Sequence, residues 1–390
     1  MRANCSSNNT VLHLIDTTGP GGAETVFVQL ADLMRGRGYK SVVVIRGPGW
    51  VKDELERRGI TPLMLDAKGS FNIGFLLSLR AIIKRERVNL IHSHLLGSNI
   101  YAALAGLITR VPVIATYHGM VDVSPNERFK KIKHLAMKWG IDRYVTVSQR
   151  LMDNVLQQGL LNPKKTSVIY NGVDTDKYQR TESAKADNNV KHGATANSTA
   201  IKTQLGLPQD AILIGSLGNI RKAKAYDVLI KSAAKVLPAR TDVHFVIAGD
   251  PKEPLMTELK TLINQLGIAD HIHFLGFQQD CAAVLAQMDL FVLSSSSEGF
   301  SISTIEAMAT GLPALVTRCG GPEEIITHGQ TGYLVEVNNP QALADGLVDL
   351  LGHPALQQQL ASAGQQHARD TFGINTMLKG YDELYSACTK

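Results

Sequence analysis

Short apolar runs alternate with stretches of helical periodicity along most of this chain, and the alternation constrains the fold more than any other feature. Val11–Ile15, Val42–Ile45 and Val113–Tyr117 are typical of buried strands, and the segments between them are helical in pattern. Strands that alternate with helices at this pace form a parallel, doubly wound sheet. The pattern resumes at Ala211–Leu217. Because 390 residues can bury two cores of ordinary size, we expect two α/β domains.

One polar stretch separates the two runs of alternation. Residues 181–200, TESAKADNNVKHGATANSTA, show no periodicity and almost no large apolar side chain. This composition is typical of a flexible linker or insertion. The sequence therefore predicts a first domain over residues 1–180, a linker over 181–200 and a second domain over 201–367.

The composition is that of a soluble globular protein, with 44% hydrophobic and 19% charged residues. A net charge of +5 does not indicate nucleic-acid binding at this length, but it suits a protein that handles phosphates or rests on an anionic surface. The four cysteines are scattered without a Cys-x-x-Cys pair, which favours a reducing cytosol over a zinc site or a disulfide framework. No run approaches the ~20 apolar residues of a membrane span.

The stretch from Ser294 to Thr317, SSSSEGFSISTIEAMATGLPALVT, has the pattern of an anion pocket. It follows the apolar run Leu290–Leu293, begins as a loop of small residues, and continues with apolar residues at roughly helical spacing. Gly311 and Pro313 then end the helix. Free backbone N–H groups and the helix dipole both point at such a loop, so we expect a negatively charged ligand there.

Two carboxylates in this stretch, Glu298 and Glu306, are eight residues apart. On one helix they would be separated by about 12 Å along the axis, which exceeds the roughly 5–10 Å of a glycoside-hydrolysing pair. They are therefore better interpreted as two separate hydrogen-bonding groups than as an acid and base pair.

The segment EGFSISTIEAMATGLP, with Glu298 and Glu306 in the spacing Glu-x7-Glu, resembles the signature of the retaining glycosyltransferases of family four. The resemblance implies the GT-B fold, in which two Rossmann-like parallel-sheet domains face each other across a cleft. It also implies that the last helix, within residues 368–390, returns to the first domain. In that family the first Glu contacts the donor sugar and the second holds the ribose hydroxyls. The resemblance assigns the donor sugar and diphosphate to the backbone of the residues between them: Gly299, Phe300, Ser301, Ile302, Ser303 and Thr304.

A glycine loop follows the first predicted strand. The third glycine of a dinucleotide motif is replaced by Glu24, and the second strand leads into Arg46 rather than an acidic residue, so NAD binding is not indicated. GPGGAETVFVQLA instead resembles the N-terminal glycine loop of the same glycosyltransferases. The resemblance implies that Gly21 and Gly22 let the backbone approach the donor diphosphate; a plain tight turn is the alternative.

Histidines follow two predicted strands, Val88–His92 and Val113–Tyr117. The carboxyl ends of parallel strands face the ligand crevice, so polar residues there are site candidates. The family carries a histidine at the position of His118, where it meets the donor sugar. For His94, a structural role and an acceptor contact both remain open. His92 and His94 have no further ligand at metal-binding spacing nearby.

Three cations follow the strand that ends at Leu217, in GNIRKAK. The family has an arginine directly after that glycine and a lysine five residues later, both of which bind the diphosphate. Lys224 matches the lysine, but Asn219 stands in the arginine position, and either Arg221 or Lys222 is a candidate replacement. By the same resemblance Phe277 borders the nucleobase, and the glutamates of Gly320–Glu324 are expected to cap a helix.

The basic segment 128–143 has Phe129, Ile132, Leu135, Ala136 and Trp139 on one helical face and lysines and an arginine on the rest. Basic amphipathic helices with an interfacial tryptophan bind anionic membranes. A solvated helix that packs its apolar face on the sheet is the other interpretation.

The sequence thus predicts a cytoplasmic, retaining glycosyltransferase at or near the inner face of the membrane. Its donor would be a nucleoside diphosphate sugar, and its acceptor a glycan or lipid-linked hydroxyl in bacterial-type cell-surface polysaccharide, lipopolysaccharide or glycolipid synthesis. The catalytic candidates are Glu298, His118 and Lys224. No cofactor, divalent metal or nucleic acid is expected, because fixed cations replace the metal and the chain lacks an Asp-x-Asp pair. A nucleotide-sugar 2-epimerase of the same fold and a non-catalytic sugar-nucleotide-binding subunit are the alternatives.

Overall fold

Two separate parallel sheets form the framework of the protein. The computed structural model describes residues 9–66, 72–119, 130–178 and 201–389. The chain divides into a first unit, Met1–Gly172 with Asn375–Lys390, and a second unit, Val173–Ile374. The predicted linker at 181–200 lies outside the described residues.

The first unit contains a seven-stranded sheet in the order β3-β2-β1-β4-β5-β6-β7, with every pair parallel. Its strands are β1 Thr10–Ile15, β2 Lys40–Ile45, β3 Leu63–Met64, β4 Leu90–His94, β5 Val113–Tyr117, β6 Arg143–Thr146 and β7 Thr166–Val168. Its connecting helices are α1 Gly22–Leu33, α2 Trp50–Arg57, α3 Ile73–Arg85, α4 Leu96–Thr109, α5 Lys130–Gly140 and α6 Gln149–Gln157. All six residues of β1 are buried, as expected for a parallel strand covered on both faces.

The second unit contains a six-stranded parallel sheet in the order β10-β9-β8-β11-β12-β13. Its strands are β8 Ile212–Leu217, β9 Val243–Ala248, β10 Ile272–Gly276, β11 Leu290–Leu293, β12 Ala314–Thr317 and β13 Tyr333–Val335. Its helices are α7 Ile201–Gln204, α8 Tyr226–Val236, α9 Leu255–Leu266, α10 Cys281–Leu285, α11 Ile302–Ala309, α12 Pro322–Ile325, α13 Pro340–Gly352 and α14 Pro354–Phe372. A last helix, α15 Ile374–Cys388, follows.

The strand order reverses at one place in each sheet, between β1 and β4 in the first unit and between β8 and β11 in the second. Ligands of open α/β sheets bind beyond the carboxyl ends of the strands at such a switch point. Asp16 and His94 mark this position in the first unit, and Gly218 and Ser294 mark it in the second. The switch point of the first unit thus lies beside the predicted histidines, and that of the second unit lies beside the predicted cation loop and serine loop.

The division between the units falls at residues 172 and 374, whereas the sequence suggested 180 and 367. The Val173 amide donates to the Phe372 carbonyl over 2.9 Å, and the Ile374 amide donates to the Val173 carbonyl over 2.8 Å. These bonds form a short parallel bridge between Val173 and Gly373. Because the pairing partners are far apart in sequence, no local pattern marks the boundary.

Helix α15 packs within the first unit through two buried tyrosines. Tyr385 Oη lies 2.6 Å from His92 Nδ1, and Tyr381 Oη lies 3.3 Å from Thr116 Oγ1. Both tyrosines are fully buried. The helix therefore completes the core beside β4 and β5.

Two details of the first unit differ from the sequence analysis. Strand β4 covers Leu90–His94 rather than Val88–His92, because the Val88 amide still donates to the Ile83 carbonyl in the turn that ends α3. In α5, two residues of the predicted apolar face point outward, with Leu135 55% and Trp139 70% exposed, which does not fit the interpretation in which that face packs on the sheet. Gly140 contacts the α4 backbone instead, where a Cβ atom would lie 2.2 Å from the Ala103 oxygen. Residues 128 and 129, and the Ile132 side chain, lie outside the described part.

Candidate functional site

The serine run after β11 fixes the loop that carries Lys224. Ser294 Oγ donates to the Lys224 carbonyl over 2.9 Å, and the Ser296 amide donates to the Ala223 carbonyl over 2.8 Å. Ala225 has a positive φ of 47°, which turns the chain into α8. The loop after β8 is thus held by the loop after β11, at the switch point of the second sheet.

Lys224 and Glu298 form an ion pair, with Nζ and Oε1 2.8 Å apart. Ser295 Oγ also donates to Glu298 Oε1, over 2.7 Å. The Lys224 side chain crosses Gly218, where a Cβ atom would lie 2.5 Å from its Cε. A larger residue at position 218 would therefore displace the lysine.

Lys224 is held in its charged form. Burial alone would lower the pKa of this ammonium, but the Glu298 carboxylate and Tyr226 together outweigh that effect, and the net pKa lies above its ordinary value. The site accordingly keeps one permanent cation in a poorly solvated position, where its field is weakly screened.

The loop bearing Glu298 is clamped by the turn after β12. The Glu298 amide donates to the Cys319 carbonyl over 2.9 Å, and the Gly321 amide donates to the Glu298 carbonyl over 3.1 Å. A Cβ atom on Gly321 would lie 2.5 Å from the Gly299 oxygen, so the two backbones touch. Glu323 Oε2 accepts from the Gly320 amide over 2.7 Å, which is the capping role expected for this glutamate.

Helix α11 starts beside this loop, as the sequence predicted. Ser301 is its N-cap residue but makes no side-chain cap; its Oγ instead accepts from Thr304 Oγ1 over 2.8 Å. Phe300 is buried, with its ring 5.6 Å from that of Phe372. These side-chain contacts thus hold the start of the helix in place. The backbone N–H groups of its first turn are the groups that can bind an anion.

Glu306 lies on α11 and has a partner that the sequence analysis missed. Tyr178 Oη donates to Glu306 Oε1 over 2.6 Å. Burial raises the pKa of Glu306, and the Tyr178 hydroxyl, Lys177 and Lys224 oppose that shift. The two residues are 128 positions apart, so only the fold reveals their pairing.

Asn219, which stands where the family has an arginine, is a structural residue in this chain. Its Oδ1 accepts from the Asp250 amide over 3.1 Å and so ties the end of β8 to the end of β9. Arg221 and Lys222 are both exposed in the following turn. Which of the two assists Lys224 stays a prediction.

Phe277 directly follows β10 and is 44% exposed. An aromatic ring of this exposure at a strand's carboxyl end is free to stack on a planar group. The assignment to the nucleobase stays a prediction.

In the first unit, α1 begins at Gly22 with Gly21 as its N-cap residue. A Cβ atom on Gly21 would lie 2.3 Å from Glu24 Oε2, so the glycine leaves room for that buried carboxylate. Asp16, which follows β1, lies against the start of α4, where a Cβ atom on Gly97 would meet its Oδ2. Burial raises the pKa of Asp16. Asp16 was not among the site residues predicted from the sequence, although its position after the first strand was a usable signal.

His94 and His118 form a stacked pair at the ends of β4 and β5. His94 Nδ1 lies 2.9 Å from His118 Nε2, with the ring planes 21° apart. His94 is fully buried, and its Nε2 has no hydrogen-bond partner among the described residues. Burial lowers the pKa of His118 to about 3 and that of His94 well below its ordinary value, so both rings are neutral at physiological pH. This geometry favours the structural interpretation of His94 over the acceptor contact.

His92 is excluded from direct chemistry by its contacts. Its Nδ1 is occupied by Tyr385 and its Nε2 lies 2.8 Å from Thr116 Oγ1. In the part of the chain that the structure describes, no cluster of three or more His, Cys, Asp or Glu side chains is placed to hold a metal ion. No described helix is long and apolar enough to cross a membrane.

Two family models match the chain, one in each half. Residues 20–177 match Glycosyltransferase Family 4, and residues 197–367 match Glycosyl transferases group 1. Together the two matches span most of the sequence.

Curated relatives of the chain are glycosyltransferases. It is 25% identical to the N-acetyl-alpha-D-glucosaminyl L-malate synthase of Bacillus anthracis, over 81% of this chain and 79% of the relative. It is 26% identical to the UDP-Gal:alpha-D-GlcNAc-diphosphoundecaprenol alpha-1,3-galactosyltransferase of Escherichia coli, over 70% and 69%.

Solved structures resemble the whole chain. Anabaena Alr3699/HepE, solved in complex with UDP and glucose, superposes with a TM-score of 0.85 at 24% identity, over 97% of this chain and 100% of that one. WaaG, a glycosyltransferase of lipopolysaccharide biosynthesis, gives a TM-score of 0.72 at 16% identity, over 96% and 99%. With its two parallel-sheet units, the chain has the GT-B fold expected from its sequence.

Proposed function

The chain belongs to the group 1 glycosyltransferases, and from that premise we propose that it moves a sugar from a nucleoside diphosphate donor to an acceptor hydroxyl with retention of anomeric configuration. The observation that carries the proposal is the Lys224–Glu298 ion pair beside the N-terminus of α11. A buried, permanently charged lysine next to helix N–H groups is suited to a diphosphate whose negative charge grows during the reaction.

The chemistry follows from that arrangement. The bond between the anomeric carbon and the diphosphate oxygen breaks, and its electron pair goes to the diphosphate. Lys224 and the backbone N–H groups from Gly299 to Thr304 stabilise this charge, each fixed donor by about 3–4 kcal/mol of barrier. The acceptor oxygen attacks the face that the diphosphate leaves, and its proton passes to a diphosphate oxygen. Arg221, exposed in the turn before Lys224, is proposed as the second diphosphate cation.

The remaining candidates bind and orient the donor. Glu298 accepts hydrogen bonds from sugar hydroxyls, and Glu306 accepts them from the ribose. His118, neutral because of its burial, offers the sugar a hydrogen bond without adding charge. Phe277 borders the base, and Gly21 and Gly22 allow close approach to the diphosphate.

Because Lys224 supplies one fixed positive charge and Arg221 is proposed to supply a second, the reaction is proposed to need no divalent metal. Lys224 keeps its proton through the neutral range, so the charge that a metal would supply is already present. Turnover should then be unchanged in excess EDTA. A strict requirement for Mg²⁺ or Mn²⁺ would contradict the proposed metal independence.

The acceptor is proposed to be a glycan or a lipid-linked hydroxyl in polysaccharide, lipopolysaccharide or glycolipid synthesis in the cytoplasm. The support comes from the diphosphoundecaprenol-linked acceptor named for the Escherichia coli relative. The surface of α5 is consistent with a lipid-linked acceptor, since exposed Leu135 and Trp139 lie beside Lys133 and Lys138. We expect the protein to co-sediment with anionic vesicles but not with neutral vesicles, and Trp139→Ala to bind the anionic vesicles more weakly. If the wild type binds neither kind of vesicle, the proposed membrane contact is wrong.

A two-step experiment tests the function. A thermal-shift screen of uridine, guanosine and adenosine diphosphates and their sugars identifies the donor class. The donor is then incubated with lipid-linked and soluble glycan acceptors, and the anomeric configuration of the product is read by NMR. Failure of every nucleotide to bind, or a product of inverted configuration, would contradict the proposal.

The same incubation separates the two alternatives. Donor without acceptor would be interconverted by an epimerase but only slowly hydrolysed by a transferase. A binding subunit would bind the donor and release no nucleotide with any acceptor.

A further inference from the structure

Tyr178 is the residue through which the structure extends the proposed donor site. It lies in a turn shortly after Val173, closed by bonds from the Lys177 amide to the Asp174 carbonyl over 3.1 Å and from the Tyr178 amide to the Thr175 carbonyl over 3.3 Å. Its side chain is only 7% exposed. The turn thus places the buried Tyr178 side chain, at the beginning of the second unit, against Glu306 of α11.

The phenol meets one oxygen of the carboxylate and leaves the other available. Tyr178 Oη donates to Glu306 Oε1 over 2.6 Å, a short bond of the kind made to a charged acceptor. Glu306 itself remains partly exposed. A carboxylate has about four acceptor positions on its two oxygens. The bond from Tyr178 therefore orients Glu306 and leaves acceptor positions for a ligand.

The choice of a tyrosine matters because it is neutral. A lysine or arginine in its place would pair with the carboxylate and compete with ligand hydroxyls for its charge. The nearest lysine of the turn, Lys177, is directed elsewhere: its Nζ lies 3.9 Å from Asp280 Oδ1. The neutral hydroxyl of Tyr178 thus binds one oxygen of Glu306 and leaves the other to accept from an uncharged donor such as a diol.

We propose that Tyr178 is a positioning residue that holds Glu306 in the orientation needed to accept both hydroxyls of the donor ribose, and that the pair thereby selects ribonucleotides over deoxyribonucleotides. The inference rests on the proposed function, since it assumes a nucleoside diphosphate at this site. The hydroxyl acts through Glu306 and touches no reacting atom.

The test compares Tyr178→Phe with the wild type by calorimetry. The probe is whichever of uridine, guanosine and adenosine diphosphate the wild type binds most tightly, together with its 2′,3′-dideoxy analogue. Losing a hydrogen bond to a charged group should weaken binding of the ribonucleotide about tenfold. Binding of the dideoxy analogue, which has no diol to present, should change less than about twofold by the same reasoning.

A pH series supplies a second readout that a packing role would not move. The Tyr178 hydroxyl opposes the burial that raises the pKa of Glu306. Its removal should raise that pKa further, and ribonucleotide binding should be lost at a higher pH as the solution is acidified. In the Glu306→Gln background, Tyr178→Phe should have no additional effect on binding.

Tyr333→Phe is the matched control, because Tyr333 in the same unit also donates to a carboxylate, that of Asp349. It should bind both probes like the wild type. If the wild type binds none of the three diphosphates, the proposed donor class and this inference are both overturned. If the wild type binds but Tyr178→Phe binds the ribonucleotide equally well or more tightly, only the inference is overturned.

Discussion

His94 Nδ1 and His118 Nε2 lie 2.9 Å apart in nearly parallel rings at the ends of two adjacent strands. Since both rings are neutral, one nitrogen donates and the other accepts, and the bond fixes the tautomer of each ring. The bond therefore also decides whether the other ring nitrogen of His118, Nδ1, carries a proton. The residue that makes this bond, His94, is fully buried.

Replacing His94 by Phe should therefore reduce turnover without loss of the fold. The planar ring is kept, but the hydrogen bond to His118 is lost, and we expect kcat to fall about five- to tenfold with a smaller change in donor KM. The conservative variant His94→Gln, whose amide can still bond His118, should recover part of the rate. Steady-state kinetics check this, and an unchanged kcat in His94→Phe would show that the pair has no role in orientation.

The buried histidines should make the protein acid-sensitive well above the range of its carboxylates. Burial lowers the pKa of His13 and that of His118 to about 3, and those of His92 and His94 well below the ordinary 6.5. Below pH 6.5 the unfolded chain binds these protons and the folded chain does not, so stability falls as the pH drops. Four such groups give a slope of about 5 kcal/mol per pH unit at most.

Urea unfolding between pH 7.5 and 5.5 measures this slope. His92→Gln removes one of the four groups and should reduce the slope by about a quarter, whatever its effect on stability at pH 7.5. If the slope is the same in the wild type and in His92→Gln, protonation of the buried histidines is not what lowers the stability at acidic pH.

Lys224→Ala and Glu298→Gln should affect different steps. Loss of the fixed cation should lower kcat by about 10²–10³-fold and weaken nucleotide binding, because Lys224 is the cation proposed to stabilise the growing charge of the diphosphate. Glu298→Gln keeps the shape and should reduce turnover more than nucleotide affinity. Lys231→Ala is the control, since this exposed lysine pairs only with Asp227 on the surface of α8. Wild-type turnover in both site variants would remove the site assignment.

Gly321→Ala should disturb the Glu298 loop by contact alone. The added Cβ atom would lie 2.5 Å from the Gly299 oxygen, and such overpacking costs about 1–3 kcal/mol. We expect a lower melting temperature and weaker nucleotide binding. Gly352→Ala, whose Cβ atom would meet nothing within 4 Å, should leave the melting temperature and nucleotide binding unchanged. Equal behaviour of the two variants would contradict the role of the Gly321 contact in holding the Glu298 loop.

Much of the fold could be predicted because its signals are local. The strands Val113–Tyr117 and Leu290–Leu293 have the predicted bounds, since each is a buried apolar run between turn residues. The start of α11 followed from a serine loop and apolar spacing in the same way. The resemblance of the Glu298 to Glu306 segment indicated the family, which the two family models confirm.

The sequence by itself determined the two α/β sheets, their order along the chain and the segments that reach the ends of their strands. Only the tertiary structure decided the partners: His118 with His94, Lys224 with Glu298, and Glu306 with Tyr178. It also turned Leu135 and Trp139 outward, because Gly140 rather than these side chains fits against α4. The physical reason is the range of the interactions. Apolar periodicity and capping act within a few residues of the chain, whereas hydrogen bonds and backbone contacts between strand ends depend on which segments the sheets place side by side.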